Sequence, residues 1–281
     1  MKNILVPTDF STCADLAADA ATLLAKRFGA TVHFVTCLSL PYRWKEMTEK
    51  QQKKYAYAQD DIRQAERLLE EKRKKYEGVS MVTIWDDSDL LKNIGDYVRQ
   101  QQIDLIVMGS HGTSGKSELF IGPITQKVVR TVHCPVLIVK DPLENVDFQR
   151  VIFASSFQAE ELPAFEQFLN LLQPFSPEVH LVYIRASAFQ ESNKTIRAAM
   201  KPLKDRCKPL VCKAHIFKYF SVSGGIQAFS NKIGADLICV SNHHRHPLKR
   251  MLDGSNVEML VNHADPPVLT IDFEENINPH H

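Results

Sequence analysis

The 281-residue chain predicts an α/β protein of two tandem doubly wound domains, each built on a five-stranded parallel sheet, and three observations carry that expectation. The first is an internal repeat. "DLIVMGSHGTSGKSELFIGPITQKVVRTVHCPVLIV", Asp104 to Val139, aligns without a gap on "DLICVSNHHRHPLKRMLDGSNVEMLVNHADPPVLTI", Asp236 to Ile271, at an offset of 132 residues. "KNILVPTDFS", Lys2 to Ser11, matches "QRVIFASSFQ", Gln149 to Gln158, at an offset of 147, so the middle of the second copy is 15 residues shorter. Copies of about 140 residues are domain-sized, whereas solenoid repeats run to about 20–50 residues. The second observation is the alternation of strand-like and helix-like segments through each copy. The third is that strand-like segments such as Ile4-Leu5-Val6 and Leu105-Ile106-Val107-Met108 are unbroken apolar runs, as parallel strands covered on both faces require.

In the first copy the pattern predicts a strand over 2–6 and a helix over 11–28, with Cys13, Ala17, Ala20, Leu24 and Phe28 at helical spacing. That helix opens with the capping pattern Thr12-x-x-Asp15 and stops at Gly29. A strand over 31–37 follows, then a long amphipathic helix over 43–77 carrying Tyr55, Ala58, Ile62, Ala65, Leu69 and Tyr76 on one face. Its charges are the solvated face of that helix and not a nucleic-acid arm. The copy closes with strand 79–84, helix 88–101, strand 103–108, helix 122–132 and strand 135–139. The second copy reads as strand 150–155, helix 159–172, strand 178–184, helix 190–206, strand 211–217, helix 223–233, strand 236–240, helix 254–263 and strand 266–271. Asp141-Pro142-Leu143-Glu144-Asn145 is a polar, Pro-containing join, which divides the chain into domains 1–144 and 145–281.

Composition narrows the function. The formal net charge is +1, so no global field draws the protein to nucleic acid or an anionic membrane. No apolar run reaches a membrane span, and Met1-Lys2-Asn3 leads directly into a strand, which predicts a cytosolic (cytoplasmic) protein. The six cysteines are too scattered for a disulfide framework, so reduced thiols are expected.

Ligands of doubly wound sheets sit at the carboxyl ends of strands near the topological switch point, which selects the loops after Val6 and Met108. The first is Pro7-Thr8-Asp9. Asp9 can accept hydrogen bonds from a sugar hydroxyl or base amine, or cap the helix that follows. The second is Gly109-Ser110-His111-Gly112, followed after nine residues by Gly122 at a helix start. Gly109 and Gly112 let backbone approach a ligand, and amides at the Gly122 helix start suit phosphate.

"NILVPTDFS", "DLIVMGSHG", the Gly109-x-x-Gly112-x9-Gly122 spacing and the closing "HCPVLIV" together resemble a universal stress protein domain. The resemblance spans the first copy and, more weakly, the second, so the chain resembles a tandem member. It implies the adenine nucleotide alpha-hydrolase-like sheet of order 3-2-1-4-5. It also implies pairing of the two domains through their last strands, with further homo-oligomerisation left open. For the first domain it implies ATP, or its product ADP, bound by Pro7, Thr8, Asp9, the Cys37 main chain, Met108, Gly109, His111, Gly112, Gly122 and Thr125. The family carries Ser or Thr after the last glycine, where this chain has Pro123, which supplies neither hydroxyl nor amide. The second copy departs in a complementary way: Ser156 replaces Asp9, Ser241 replaces Gly109 and His244 replaces Gly112, while Gly254-Ser255 restores the ending. That site is expected to be degenerate for nucleotide.

The remaining candidates carry less. Asn242-His243-His244-Arg245-His246 can hold a metal or grip an anion, or be a solvated loop. With no carboxylate or thiol at standard spacing, no metal is expected there. Cys207-x4-Cys212-x2-His215 is split between a helix end and a strand, so no metal is expected there either. Ser223-Gly224-Gly225 follows the third strand of its copy, the wrong place for an adenylating-enzyme phosphate loop, and reads as a helix start. No Ser-His-Asp or Cys-His arrangement, P-loop lysine or acidic pair for Mg²⁺ is legible, so no catalytic residue is assigned. The expectation is a cytosolic stress-response regulator binding ATP in its first domain. A slow ATP hydrolase and a nucleotide-free scaffold acting through the second domain are the alternatives.

Overall fold

The computed structural model describes residues 1–86, 90–110, 122–186, 191–242 and 254–272. Among them are the strands β1 (Asn3–Pro7), β2 (Thr31–Cys37), β3 (Met81–Asp86), β4 (Leu105–Gly109) and β5 (Val136–Val139) of the first half. The second half contributes β6 (Arg150–Ala154), β7 (Glu178–Arg185), β8 (Cys212–Lys218), β9 (Leu237–Asn242) and β10 (Val268–Asp272). All ten join one sheet in the order β3-β2-β1-β4-β5-β10-β9-β6-β7-β8, so each half has the expected order 3-2-1-4-5. Pairing is parallel within each half and antiparallel between β5 and β10.

The helices are α1 (Thr12–Phe28), α2 (Glu49–Gln52), α3 (Ala56–Lys75), α4 (Leu90–Gln100), α5 (Pro123–Thr131), α6 (Leu162–Leu172), α7 (Asn193–Arg206), α8 (Val222–Ile233) and α9 (Gly254–His263). They cover both faces, which explains why the strands are apolar throughout. Ile4 and Val6 of β1 face one core with Ala17, Ala21 and Leu24 of α1. Leu5, between them, faces the other with Ile94 and Val98 of α4 and Val128 of α5.

Two expectations about helices need correction. The cap of α1 is Ser11, whose Oγ accepts from the Ala14 amide at 3.2 Å, and Gly29 at φ 63° ends the helix. Asp15 pairs instead with the buried ammonium of Lys72 on α3. The single helix expected over 43–77 is three pieces, a 3-10 turn at Trp44–Glu46, then α2, then α3. Thr48 and Gln51 form a capping box that opens a fresh helix, and buried Trp44 pins the preceding turn. In the second half, Ala159–Glu161 is likewise a 3-10 turn preceding α6. Ser223-Gly224-Gly225 lies in the first turns of α8. There a Cβ on Gly225 would come within 2.5 Å of Ile184 Cγ2, so this glycine serves helix-on-sheet packing.

The β5–β10 seam has pseudo-twofold symmetry written into its register. Leu137 faces Leu269, its own repeat equivalent 132 residues on, while Val136 faces Thr270 and Ile138 faces Val268. This is the reciprocity of an isologous interface, realised within one chain. All six residues are buried. Away from the strands, Phe28 of α1 packs edge-on to Phe175 with centroids 5.3 Å apart, and Phe148 tilts against the same ring at 5.2 Å.

Candidate functional site

The switch point of the first half lies between β1 and β4, adjacent parallel strands whose chains leave toward opposite sides of the sheet. Past Pro7 the Thr8 amide donates to the Val35 carbonyl at 2.8 Å, so the β1–β2 ladder continues one residue into the loop. The chain then turns sharply. Thr8 Oγ1 accepts from the Phe10 amide at 3.0 Å, Asp9 Oδ1 accepts from the Ser11 amide at 3.0 Å, and Phe10 takes φ 61°. With Ser11 as the cap, Asp9 has no capping duty. Its carboxylate shapes the turn while standing exposed at the mouth of the sheet. Cys37, half-buried, ends the neighbouring β2.

Opposite this turn, β4 ends at buried Met108 and Gly109. A Cβ on Gly109 would lie 2.4 Å from the Cys13 carbonyl oxygen and 2.6 Å from its carbon. The bare side of this glycine is therefore filled by the start of α1 and not by open space for a ligand. Its effect is to bring the Asp9 turn and the β4 loop close together. Thr125 Oγ1 donates to the Gly109 carbonyl at 3.0 Å and is itself buried, tying α5 to the end of β4. The Gly122 amide donates to the Ser110 carbonyl at 2.6 Å, closing the base of the loop between them. Its amide is thus committed within the loop, which leaves Ile124 and Thr125 as the first-turn amides of α5, since Pro123 has none. His111 and Gly112 lie outside the described residues.

The second half keeps the turn and replaces its contents. Phe157, the repeat of Phe10, also takes a positive φ of 60°, and its amide donates to Ser155 Oγ at 2.7 Å as Phe10 does to Thr8. Beneath this turn lies a residue that the sequence reading missed, Glu161, which has no exposed surface. Ser155, Ser156 and Ser241 each donate a hydroxyl to its carboxylate, Ser156 at 2.5 Å and Ser241 at 2.6 Å. The Gln158 amide adds a fourth contact at 3.3 Å. Ser156 and Ser241 stand where the first half has Asp9 and Gly109, and Glu161 stands where it has Ala14. The helix begins here with a 3-10 turn and becomes regular only at Leu162, which admits the Ser241 side chain where Gly109 needed a bare Cα. The available signal was the repeat alignment itself, which sets a glutamate against alanine at a buried helical position. Gly254 opens α9, whereas His243, His244 and the Ser255 side chain lie outside the described residues.

Other sequence motifs separate. His215 of β8 faces α8, stacked on His180 at 5.2 Å and tilted against Phe229 at 4.9 Å, while Cys212 packs with the core beneath α7. Among the described residues no group of three or more His, Cys, Asp or Glu side chains is arranged to hold a metal. None of the described helices is long and apolar enough to cross a membrane.

A doubly wound parallel sheet repeated about a seam, with an acidic turn after β1 and a loop bounded by Gly109 and Gly122 after β4, defines the class of the chain as doubly wound α/β. The profile of the universal stress protein family matches residues 1–140 and 218–272, and the chain belongs to that family. A universal stress protein of Methanocaldococcus jannaschii is 28% identical over 149 residues, covering 50% of this chain and 83% of the relative. Bacillus subtilis universal stress protein YxiE is 34% identical over 76 residues, 26% of this chain and 51% of the relative. The fold matches the crystal structure of a universal stress protein from Archaeoglobus fulgidus with a TM-score of 0.73 at 19% identity, covering 97% of both chains.

Proposed function

We propose that the first half, residues 1–144, binds one adenine nucleotide, ATP, at the β1/β4 switch point, and that the second half, residues 145–281, binds none. The protein then acts as a cytoplasmic stress-response regulator whose state is set by nucleotide occupancy. In this reading Asp9 accepts hydrogen bonds from ribose or adenine, the Pro7, Thr8, Cys37 and Met108 backbone lines the base and sugar, and the loop from Gly109 through His111 and Gly112 to Gly122 wraps the phosphates. The Ile124 and Thr125 amides supply the anion-binding end of α5. Thr125 contributes through its backbone, since its hydroxyl is occupied by Gly109.

One observation carries this asymmetry. At equivalent positions the first half has Ala14 and Gly109, and the second has Glu161 and Ser241 joined by a hydrogen bond. Ser156, which stands at the Asp9 position, spends its hydroxyl on the buried Glu161 carboxylate, so the second turn lacks the exposed carboxylate that the first presents. Calorimetry with the full chain is expected to give one ATP per chain. Asp9→Ala removes a charge-assisted hydrogen bond of about 1.5–3 kcal/mol and is expected to weaken binding roughly 10- to 100-fold. Two ATP per chain, or undiminished affinity in Asp9→Ala, would overturn the reading.

A further inference from the structure

The pair Cys207 and Cys212 has its own geometry. Helix α7 runs into Cys207, whose amide donates to the Leu203 carbonyl at 3.2 Å and whose carbonyl accepts from the Leu210 amide at 2.7 Å. The chain turns back at once and enters β8 at Cys212. Because side chains alternate along a strand, Cys212, Ala214 and Ile216 face the core under α7, while His215 and Phe217 face α8. The turn and the strand phase thus bring both cysteine side chains to one side of the sheet, in the same apolar core. Cys207 is buried at 2% exposure, whereas Cys212 is half-buried on the edge strand of the sheet.

The electrostatics favour one sulfur over the other. Hydrogen bonding from Cys207 holds the Cys212 thiol below its ordinary pKa against the opposing effect of its own burial, aided by the nearby Lys204 charge. The same hydrogen bond, with burial, pushes Cys207 up. Elsewhere burial pushes Cys134 up to about 12 and raises Cys239 well above the ordinary value, which makes those two thiols inert.

We propose that Cys207 and Cys212 form a peroxide-responsive dithiol, with Cys212 as the attacking sulfur and Cys207 as the resolving one. The co-reactant is a hydroperoxide, ROOH. The Cys212 thiolate attacks its outer oxygen; an S–O bond forms as the O–O bond breaks, and the departing oxygen leaves as ROH with a proton from solvent. Cys212 is now a sulfenic acid. The Cys207 sulfur then attacks the Cys212 sulfur, the S–S bond forms, the S–O bond breaks, and hydroxide leaves with the Cys207 proton as water. Two thiols and one ROOH become one disulfide, ROH and water, the two sulfurs supplying the two electrons. The new bond ties the C-terminus of α7 to the edge strand β8. This site lies in the second half and is independent of the nucleotide reading.

Hydrogen peroxide acting on the full chain, followed by peptide mass mapping without reductant, tests this. The expected product is a Cys207–Cys212 disulfide, two hydrogens lighter than the dithiol and restored by dithiothreitol. In Cys207→Ser, Cys212 is expected to stop at the sulfenic acid and be trapped by dimedone. Cys212→Ser is expected to lose thiol to peroxide at least roughly 10-fold more slowly than wild type at this pair. The wild-type measurement decides without any variant. If both cysteines remain open to alkylation after peroxide treatment and denaturation, the proposal falls. It also falls if Cys207 in Cys212→Ser oxidises at the wild-type rate.

Discussion

At Gly109 one missing Cβ decides how a helix meets a strand. The 2.4 Å separation between an added Cβ and the Cys13 carbonyl oxygen is far inside van der Waals contact, and both partners are backbone, so neither can rotate away. Gly109→Ala must therefore push α1 from β4, and overpacking of this kind costs about 1–3 kcal/mol. A fall in the urea midpoint at constant m-value is expected; an unchanged midpoint would show that α1 yields freely. Asp9 and Gly109 were legible in the sequence because their residue types and their places after strands carry the information. What was hidden is what each touches. A glycine kept bare for a ligand and one kept bare for a neighbouring backbone look the same in a sequence. Glu161 was hidden for a stronger reason. Burying a carboxylate is unfavourable unless several donors converge on it, and its donors Ser155, Ser156 and Ser241 are brought together by two separate strands.

At the scale of elements, the repeat preserves a histidine in the third position of each half's second strand, His33 in β2 and His180 in β7. His33 Nδ1 meets the Tyr97 hydroxyl of α4 at 2.8 Å, and His180 Nδ1 meets His215 Nε2 at 3.2 Å. Burial lowers the pKa of all three imidazoles. Glu178 opposes the shift at His180 and His215, and Lys213 reinforces it at both. A base whose folded pKa lies below its unfolded value, here 6.5, binds more protons when unfolded. Stability is thus fullest above pH 6.5 and declines as pH falls below it, each imidazole contributing at most about 1.4 kcal/mol per pH unit. Urea midpoints at about pH 7.5 and 5.5 should show this loss, and His215→Phe, which keeps a ring against Phe229, should lessen it. An identical pH dependence in that variant would remove His215 from the account. Elements themselves were largely legible, since alternation and apolar runs are local signals. One exception, the broken segment over 43–77, failed because the helical spacing begins only at Tyr55 and says nothing of Thr48, whose capping box starts a separate helix.

At the scale of the whole molecule, the seam explains why the repeat exists as one chain. Each half alone would leave β5 or β10 as an open edge with buried apolar residues exposed, a template for pairing with any other strand. Pairing Leu137 with Leu269 about a pseudo-twofold axis closes both edges at once, and the join at 141–145 makes the event intramolecular. Contacts beyond the strands reinforce it. The Arg27 guanidinium pairs with Asp147 and lies 4.6 Å over the Phe175 ring, and His133 meets Asp272 at 2.6 Å. Because the register is reciprocal, the edge of one half is complementary both to the other half and to a second copy of itself. Residues 1–144 and 145–281 produced as separate chains are therefore expected to associate, each with itself and, when mixed, with the other. Sedimentation measures this directly, and two well-behaved monomers that fail to combine would show that the seam contributes little to holding the sheet together. Leu137→Arg in the full chain sharpens the test by burying an unpaired charge against Leu269 on the axis itself. It is expected to destabilise the protein by several kcal/mol and to raise the susceptibility of the 141–145 join to proteolysis, whereas the same charge on a surface helix would do neither.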